Sequence, residues 1–251
     1  WPDLCFEGTS GPEGEHFFVI GDWGGVLHSP WIPPMPANQA SRRGRPYVVG
    51  VDDRAQLLVA DQMSRRANLT HPRYVINVGD NFYWGGVDTH CGQPDALVRT
   101  GQWQYVFENI YTGADLAGKP WMGVLGNHDY GGWMYIAGWD QSIMYTWAPS
   151  GRWLTPALYW SRRVLYPDFA VDMFFVDSNV NDAHHPMDYP NTNMCSLAHN
   201  IGNTSCGVSG PSSVWECREW FHRLWEEQLP WLESGLNAST AEWQGVVTHF
   251  P

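Results

Sequence analysis

The sequence predicts a single α/β domain whose strands and helices stack in layers. Three observations point there. Short apolar runs alternate with stretches of helical spacing along the chain. Several of those runs stop abruptly at Asp, Asn or His, most often after a glycine. The length, 251 residues, suits one large domain, because single cores stop growing at about this size. With 43% hydrophobic and 16% charged residues, there is material for a sizeable core. Most of the sixteen tryptophans are expected to serve as large packing groups.

The elements follow in order. Residues 16–20, His-Phe-Phe-Val-Ile, read as a buried strand ending at Gly21-Asp22. Residues 29–46 include Pro30, Pro33, Pro34, Pro36 and Pro46 and are expected to form an irregular loop. Residues 53–68 have helical spacing, with Leu57, Leu58, Ala60 and Met63 on the apolar face. Residues 73–78 form a second strand that stops at Gly79-Asp80. Residues 98–111 are predicted to be an amphipathic helix. Residues 121–125 are a third strand, running into Gly126-Asn127. Two more strands are expected at 157–165 and 171–176. Residues 177–212 read as a long loop, stapled by a disulfide from Cys195 to Cys206. Residues 213–236 are helical in pattern, with Trp220, Leu224, Trp225 and Leu229 on one side and a kink or break at Pro230. Residues 243–248 are a last strand, which delivers His249.

Charge narrows the function. The net charge is −12 and Lys119 is the sole lysine. With no basic stripe, nucleic acid is excluded as a partner. A negative chain also repels anionic substrates. If such a chain handles phosphate, something local must reverse the sign, and metal ions would do that. The sequence holds no apolar run of about 18 residues, so no membrane span is expected. It opens at Trp1, which reads as a processed, mature N-terminus. Glycosylation sequons stand at Asn68, Asn203 and Asn237. They point to a secreted, extracellular or lysosome-like compartment. Five cysteines, Cys5, Cys91, Cys195, Cys206 and Cys217, leave one thiol without an internal partner there.

The strand ends carry the chemistry. Asp22, Asp80, Asn127 with His128, and His249 each follow an apolar run, and Tyr83 comes three residues after Asp80. Gly21, Gly24, Gly25, Gly79 and Gly126 flank them, so the backbone can turn tightly and approach a ligand. Carboxylate, imidazole, amide and phenolate are donors for hard or borderline cations. Two cations about 3.5–4 Å apart need a shared carboxylate, and together they polarise a phosphoryl oxygen and acidify a water. A phenolate suits a trivalent ion, because its own pKa of about 10 must be strongly depressed. Alone, each piece is an ordinary turn; their recurrence at successive strand ends is what points to a site.

These segments resemble the first four of the five motifs of the metallophosphoesterase superfamily, in their purple acid phosphatase form. They are Gly21-Asp22-Trp23-Gly24, Gly79-Asp80-Asn81-Phe82-Tyr83, Gly126-Asn127-His128-Asp129 and Val246-Val247-Thr248-His249. The likeness is to the mammalian-type, tartrate-resistant branch and extends over most of the chain. Gly24 stands where most of the superfamily places a histidine ligand, and Tyr83 supplies the compensating one. The resemblance implies a layered α-β-β-α sandwich with the metal site at the C-terminal ends of its strands. It implies a secreted acid phosphatase that attacks phosphate monoesters with a metal-bound hydroxide at an Fe(III)–M(II) centre. Asp22 and Tyr83 would bind Fe(III), Asp80 would bridge, and Asn127 and His249 would bind the second ion, Fe, Zn or Mn. His128 would contact the phosphate and assist the leaving alcohol, and Asp129 would orient His128. The substrate would be a phosphorylated small molecule or protein.

The family's fifth motif, Gly-His-x-His, gives one histidine to each ion and is not among these residues. His184-His185 is a poor substitute, since adjacent side chains on an extended segment point apart. The expectation is an N-terminal fragment, with the last motif on a C-terminal fragment that the unpaired cysteine would bridge. The rival readings are a phosphodiesterase or pyrophosphatase on the same scaffold, and a non-catalytic secreted binding protein with an incomplete site.

Overall fold

The computed structural model describes residues 1–7, 14–25, 54–93, 101–201 and 204–251. The prolines of 29–46 and the sequon at Asn203 lie outside the described residues. In chain order the strands are β1 (Leu4–Cys5), β2 (Phe18–Ile20), β3 (Val75–Asn77), β4 (Trp121–Gly123), β5 (Trp153–Leu154), β6 (Trp160–Leu165), β7 (Ala170–Phe175) and β8 (Trp243–Val247). The α-helices are α1 (Ala55–Thr70), α2 (Asn127–Tyr130), α3 (Trp139–Met144) and α4 (Val214–Ala238).

The strands form two four-stranded sheets. One runs β2-β3-β4-β5 and is parallel throughout. The other runs β1-β6-β7-β8, with β6 and β7 antiparallel and the outer pairings parallel. Strand β3 shows why they stack. All three of its residues are buried, as expected of a strand covered on both faces. Val75 points into a cluster with Ala60 and Ala67 of α1. Its neighbour Ile76 points the other way, onto Val164, Met173 and Phe175 of the second sheet. The far side of that sheet meets α4, where the Phe174 and Trp231 rings meet edge to face at 5.9 Å. The layers are therefore α-β-β-α.

Helix α1 buries a face close to the expected one: Ala60 is inside and Met63 packs against the same cluster, but the stripe is centred on small and polar residues rather than on the leucines. Gln56, Ala60 and Ala67 are inside, while Leu58 is exposed. Small residues let the helix sit close to the sheet, and Gln56 Nε2 is satisfied inside by the Val106 carbonyl at 2.8 Å. The bulk comes from the tryptophans instead: Trp23, Trp103, Trp121 and Trp153 all enter this cluster. Of the amphipathic helix expected over 98–111, residues 98–100 lie outside the described residues, and within the rest a π-helical stretch, Trp103–Glu108, buries Trp103, Val106 and Phe107.

Helix α4 starts where Ser213 Oγ accepts the Glu216 N–H at 3.3 Å, an N-cap. Its buried stripe is Val214, Cys217, Phe221, Leu224 and Gln228. The expected break at Pro230 is absent; the helix continues to Ala238. Pro230 lies on the exposed side, where water can serve the carbonyl it leaves unpaired.

The Cys195–Cys206 pairing is corrected. The disulfides are Cys91–Cys206 and Cys195–Cys217, and Cys5 is free and exposed. Cys217 sits on the inward stripe of α4, which carries it to Cys195. Gly92 packs so tightly on Cys206 that a Cβ there would fall 2.5 Å from the Cys206 carbonyl oxygen, which brings Cys91 alongside. Loop closures of 22 and 115 residues are worth about 3 and about 5 kcal/mol in the chain-entropy account. Asn68 and Asn237 are exposed, as glycan acceptors must be. No helix among the described residues is long and apolar enough to cross a membrane.

Candidate metal centre

The ends of β2, β3, β4 and β8 converge. The two loops after β2 and β3 are zipped by backbone hydrogen bonds, Asp22 N to Gly79 O and Trp23 N to Asp80 O, both 3.0 Å. Asp22, Asp80 and Phe82 all take positive φ, 56°, 54° and 55°. Such angles cost a non-glycine residue on the order of 1 kcal/mol or more and persist where the surroundings over-determine them. Here they aim two carboxylates at one point. Gly24, at φ +100°, packs so closely that a Cβ would lie 2.5 Å from the Phe82 backbone. That position has no room for a side chain of any kind.

The Tyr83 hydroxyl donates to Asp22 Oδ1 and Asp80 Oδ2, each at 2.8 Å. Burial, together with the charges of Asp80 and Asp22, pushes the Tyr83 hydroxyl well above the usual tyrosine range. A proton thus holds three oxygens together where a cation would hold them better. Asp80 Oδ1 accepts the His128 N–H at 2.9 Å and lies 3.3 Å from His249 Nε2. His249 Nδ1 is 2.9 Å from the Val78 carbonyl. A carbonyl can only accept, so Nδ1 carries a proton and Nε2 is the ring nitrogen that faces Asp80. Asn127 Nδ2 donates to Asp182 Oδ2 at 3.0 Å, which leaves its carbonyl oxygen for a ligand role.

His128 Nδ1 donates to the Trp84 carbonyl at 2.6 Å, leaving Nε2 free. The Tyr83 ring meets the imidazole edge-on at 4.5 Å. Asp129 does not touch that ring. Its buried carboxylate accepts from Gly126 N at 2.8 Å and from the Asn81 backbone and side chain at 3.2 Å. It ties the loop after β3 to the loop after β4, and burial raises its pKa well above the ordinary carboxylate value. Trp84 stands at the site beside His128, while Trp23 is buried and donates to Asn77 Oδ1 at 3.1 Å. His184 packs on Tyr189 and His185 on Trp215.

The donor chemistry suits hard or borderline cations: the Asp22 carboxylate, the Tyr83 phenol and the His249 imidazole gather around Asp80, and the Asn127 amide lies on the adjoining turn beside Asp182. Among the described residues no three His, Cys, Asp or Glu side chains gather into a cage by themselves. The set is a mixed one that depends on Tyr83 and Asn127.

The profile of the calcineurin-like phosphoesterases matches residues 16–251. The chain belongs to that family. Within it, the chain is similar to the purple acid phosphatases of the mammalian type. Mouse tartrate-resistant acid phosphatase type 5 is 26% identical over 253 residues, taking in 100% of this chain and 60% of that protein. The human counterpart is 23% identical, over 94% of this chain and 55% of that one. Purple acid phosphatase 3 of Arabidopsis thaliana is 33% identical over 64% of this chain and 32% of its own length. The chain therefore spans a little over half the length of the mammalian relatives it matches.

Sequence reasoning missed the loop after β7. Asp177 is buried, and burial pushes its carboxyl up to about 6 against hydrogen bonds from Asn179 and Tyr130. Burial also pushes Asp182 up to about 7, with the Asn127 contact opposing and the Asp80 charge adding. The signal was present: residues 173–176, Met-Phe-Phe-Val, are an apolar run followed directly by Asp177, much as apolar runs precede Gly21-Asp22 and Gly79-Asp80.

Proposed function

We propose that this chain forms the larger part of the catalytic site of an acid phosphatase that cleaves phosphate monoesters in a secreted or lysosome-like compartment. The observation that carries this reading is the meeting of Asp22, Asp80 and Tyr83 oxygens at 2.8 Å. Asp22 and Tyr83 would hold Fe(III), Asp80 would bridge, and Asn127 and His249 would hold a divalent Fe, Zn or Mn ion. The phenol favours the trivalent ion at its position. When bound, the ions supply positive charge against the phosphoryl oxygens and make a water nucleophilic below neutral pH.

The chain's own side chains do the rest. Asp80 fixes the separation of the two halves. His128, with Nδ1–H committed to the Trp84 carbonyl, would present Nε2 to the leaving oxygen and, as the doubly protonated imidazolium, pass its Nε2 proton there. Tyr83 and Trp84 limit rotation of that imidazole. Asp129 holds the two loops in register. The two remaining histidines would come from a Gly-His-x-His segment outside these residues. Cys5, outside both disulfides, would link a separate fragment that carried it. The two disulfides accord with an oxidising compartment. The substrate would be a phosphorylated small molecule or protein.

Substrate comparison tests the reaction class. The purified native protein is expected to hydrolyse an aryl phosphate monoester with a kcat/KM roughly tenfold or more above that for the matching diester. A preference for the diester would move the assignment to a phosphodiesterase. No hydrolysis of either would leave a non-catalytic scaffold.

A further inference from the structure

Two ligands assigned above to the divalent ion come from different sheets. Asn127 follows β4 of the parallel sheet, and His249 follows β8 of the mixed one. Hydrogen bonds along a strand do not fix the distance between two stacked sheets; side-chain packing does, and it is compliant. Metal ligands tolerate errors of only about 0.2 Å. Something must tie the two loops together.

Residues 177–179, after β7, do so. The Asp177 carboxylate accepts the Tyr130 hydroxyl at 2.8 Å through Oδ2. Tyr130 ends α2, the turn that carries Asn127 and His128. Asn179 Nδ2 donates to the Leu125 carbonyl at 2.9 Å, gripping the same loop two residues before Asn127. On the other side, Ser178 Oγ accepts the Phe250 N–H at 2.7 Å, one residue after His249. Val176 N donates to the Val247 carbonyl at 2.9 Å. The bracket is itself anchored. The Gln228 side chain, fully buried on α4, accepts the Asp177 N–H at 3.0 Å and donates to its carbonyl at 2.5 Å.

The geometry points to Asp177 and Ser178 as positioning residues that join the α2 turn to the β8 loop and so set the divalent half of the metal centre. They supply no ligand to it. The ferric half, Asp22 with Tyr83, lies on loops that the backbone already zips together, so it does not depend on the bracket. The inference rests on the ligand roles given under the proposed function.

Metal titration separates the two. Native protein stripped of its divalent ion is titrated with Zn(II), while the visible band of the Tyr83–iron pair reports on the ferric half. Tyr130→Phe and Ser178→Ala each remove one strut and almost no volume. Both are expected to weaken Zn(II) binding by about tenfold or more, the range for partners behind metal ligands, with the band unchanged. Tyr135→Phe is the control. Its hydroxyl is equally buried and donates to the Thr204 carbonyl at 2.8 Å, away from the bracket, so Zn(II) affinity should hold. Wild-type affinity in both bracket variants overturns the inference, as does parallel loss of both ions or an equal loss in Tyr135→Phe. A wild-type protein that takes up no metal overturns the proposed function and this inference with it.

Discussion

Replacing Asp80 by asparagine is expected to strip the centre of metal and to lower turnover by more than about 10³-fold. Asp80 is where the two halves meet. One of its oxygens takes the Tyr83 hydroxyl at 2.8 Å. The other takes the His128 N–H at 2.9 Å and sits 3.3 Å from His249 Nε2. Asparagine keeps this volume, which matters because the loops leave no slack: a Cβ on Gly126 would fall 2.2 Å from Asp80 Oδ1. The fold should therefore persist. What disappears is the negative charge that lets one side chain bridge two cations. Metal analysis and kcat on the same sample check this. Full metal content with residual high activity would mean that Asp80 does not bridge.

His128→Ala should behave in the opposite way. Turnover is expected to fall by roughly 10²–10⁴-fold, the range for a lost general acid, while metal content stays near that of the wild type. The reason is the tether. His128 Nδ1–H is committed to the Trp84 carbonyl, so the ring offers a single free nitrogen, and no carboxylate competes for it. The loss should be greatest for alkyl phosphates, whose leaving alcohols need a proton, and least for aryl phosphates with acidic phenols. Loss of metal in His128→Ala would make the residue a ligand and contradict this role.

The candidate site was legible because a metal-type donor set imposes a local pattern. A strand must end, the backbone must turn, and a donor must follow. Asp22, Asp80, Asn127 and His249 meet that requirement, and Tyr83 lies close enough in sequence to be read with Asp80. The layered fold was legible because short apolar runs such as Tyr74-Val75-Ile76 alternate with stretches of helical spacing. Pairings between distant segments left no such trace. Cys91 reaches Cys206 because Gly92 allows a close backbone contact, and nothing in the cysteine spacing encodes that.

Contacts to backbone carbonyls were equally hidden. His128 was expected to lean on Asp129, its neighbour in sequence, but it leans on the Trp84 carbonyl, which any residue could supply. On helix α1 the expected face held at Ala60 and Met63 but not at Leu58. Gln56 is buried through its hydrogen bond to the Val106 carbonyl, whereas Leu58 faces solvent. The bracket at Asp177 and Ser178 joins two loops from different sheets, so it became visible only once both sheets were in place.

The central claim is an iron-tyrosinate, two-metal phosphatase centre. Metal content and the visible spectrum of the native protein and of Tyr83→Phe test it most directly. About two metals per molecule are expected, one of them iron, with a purple band that Tyr83→Phe abolishes. A protein without iron, or a band that survives loss of the Tyr83 hydroxyl, would contradict it.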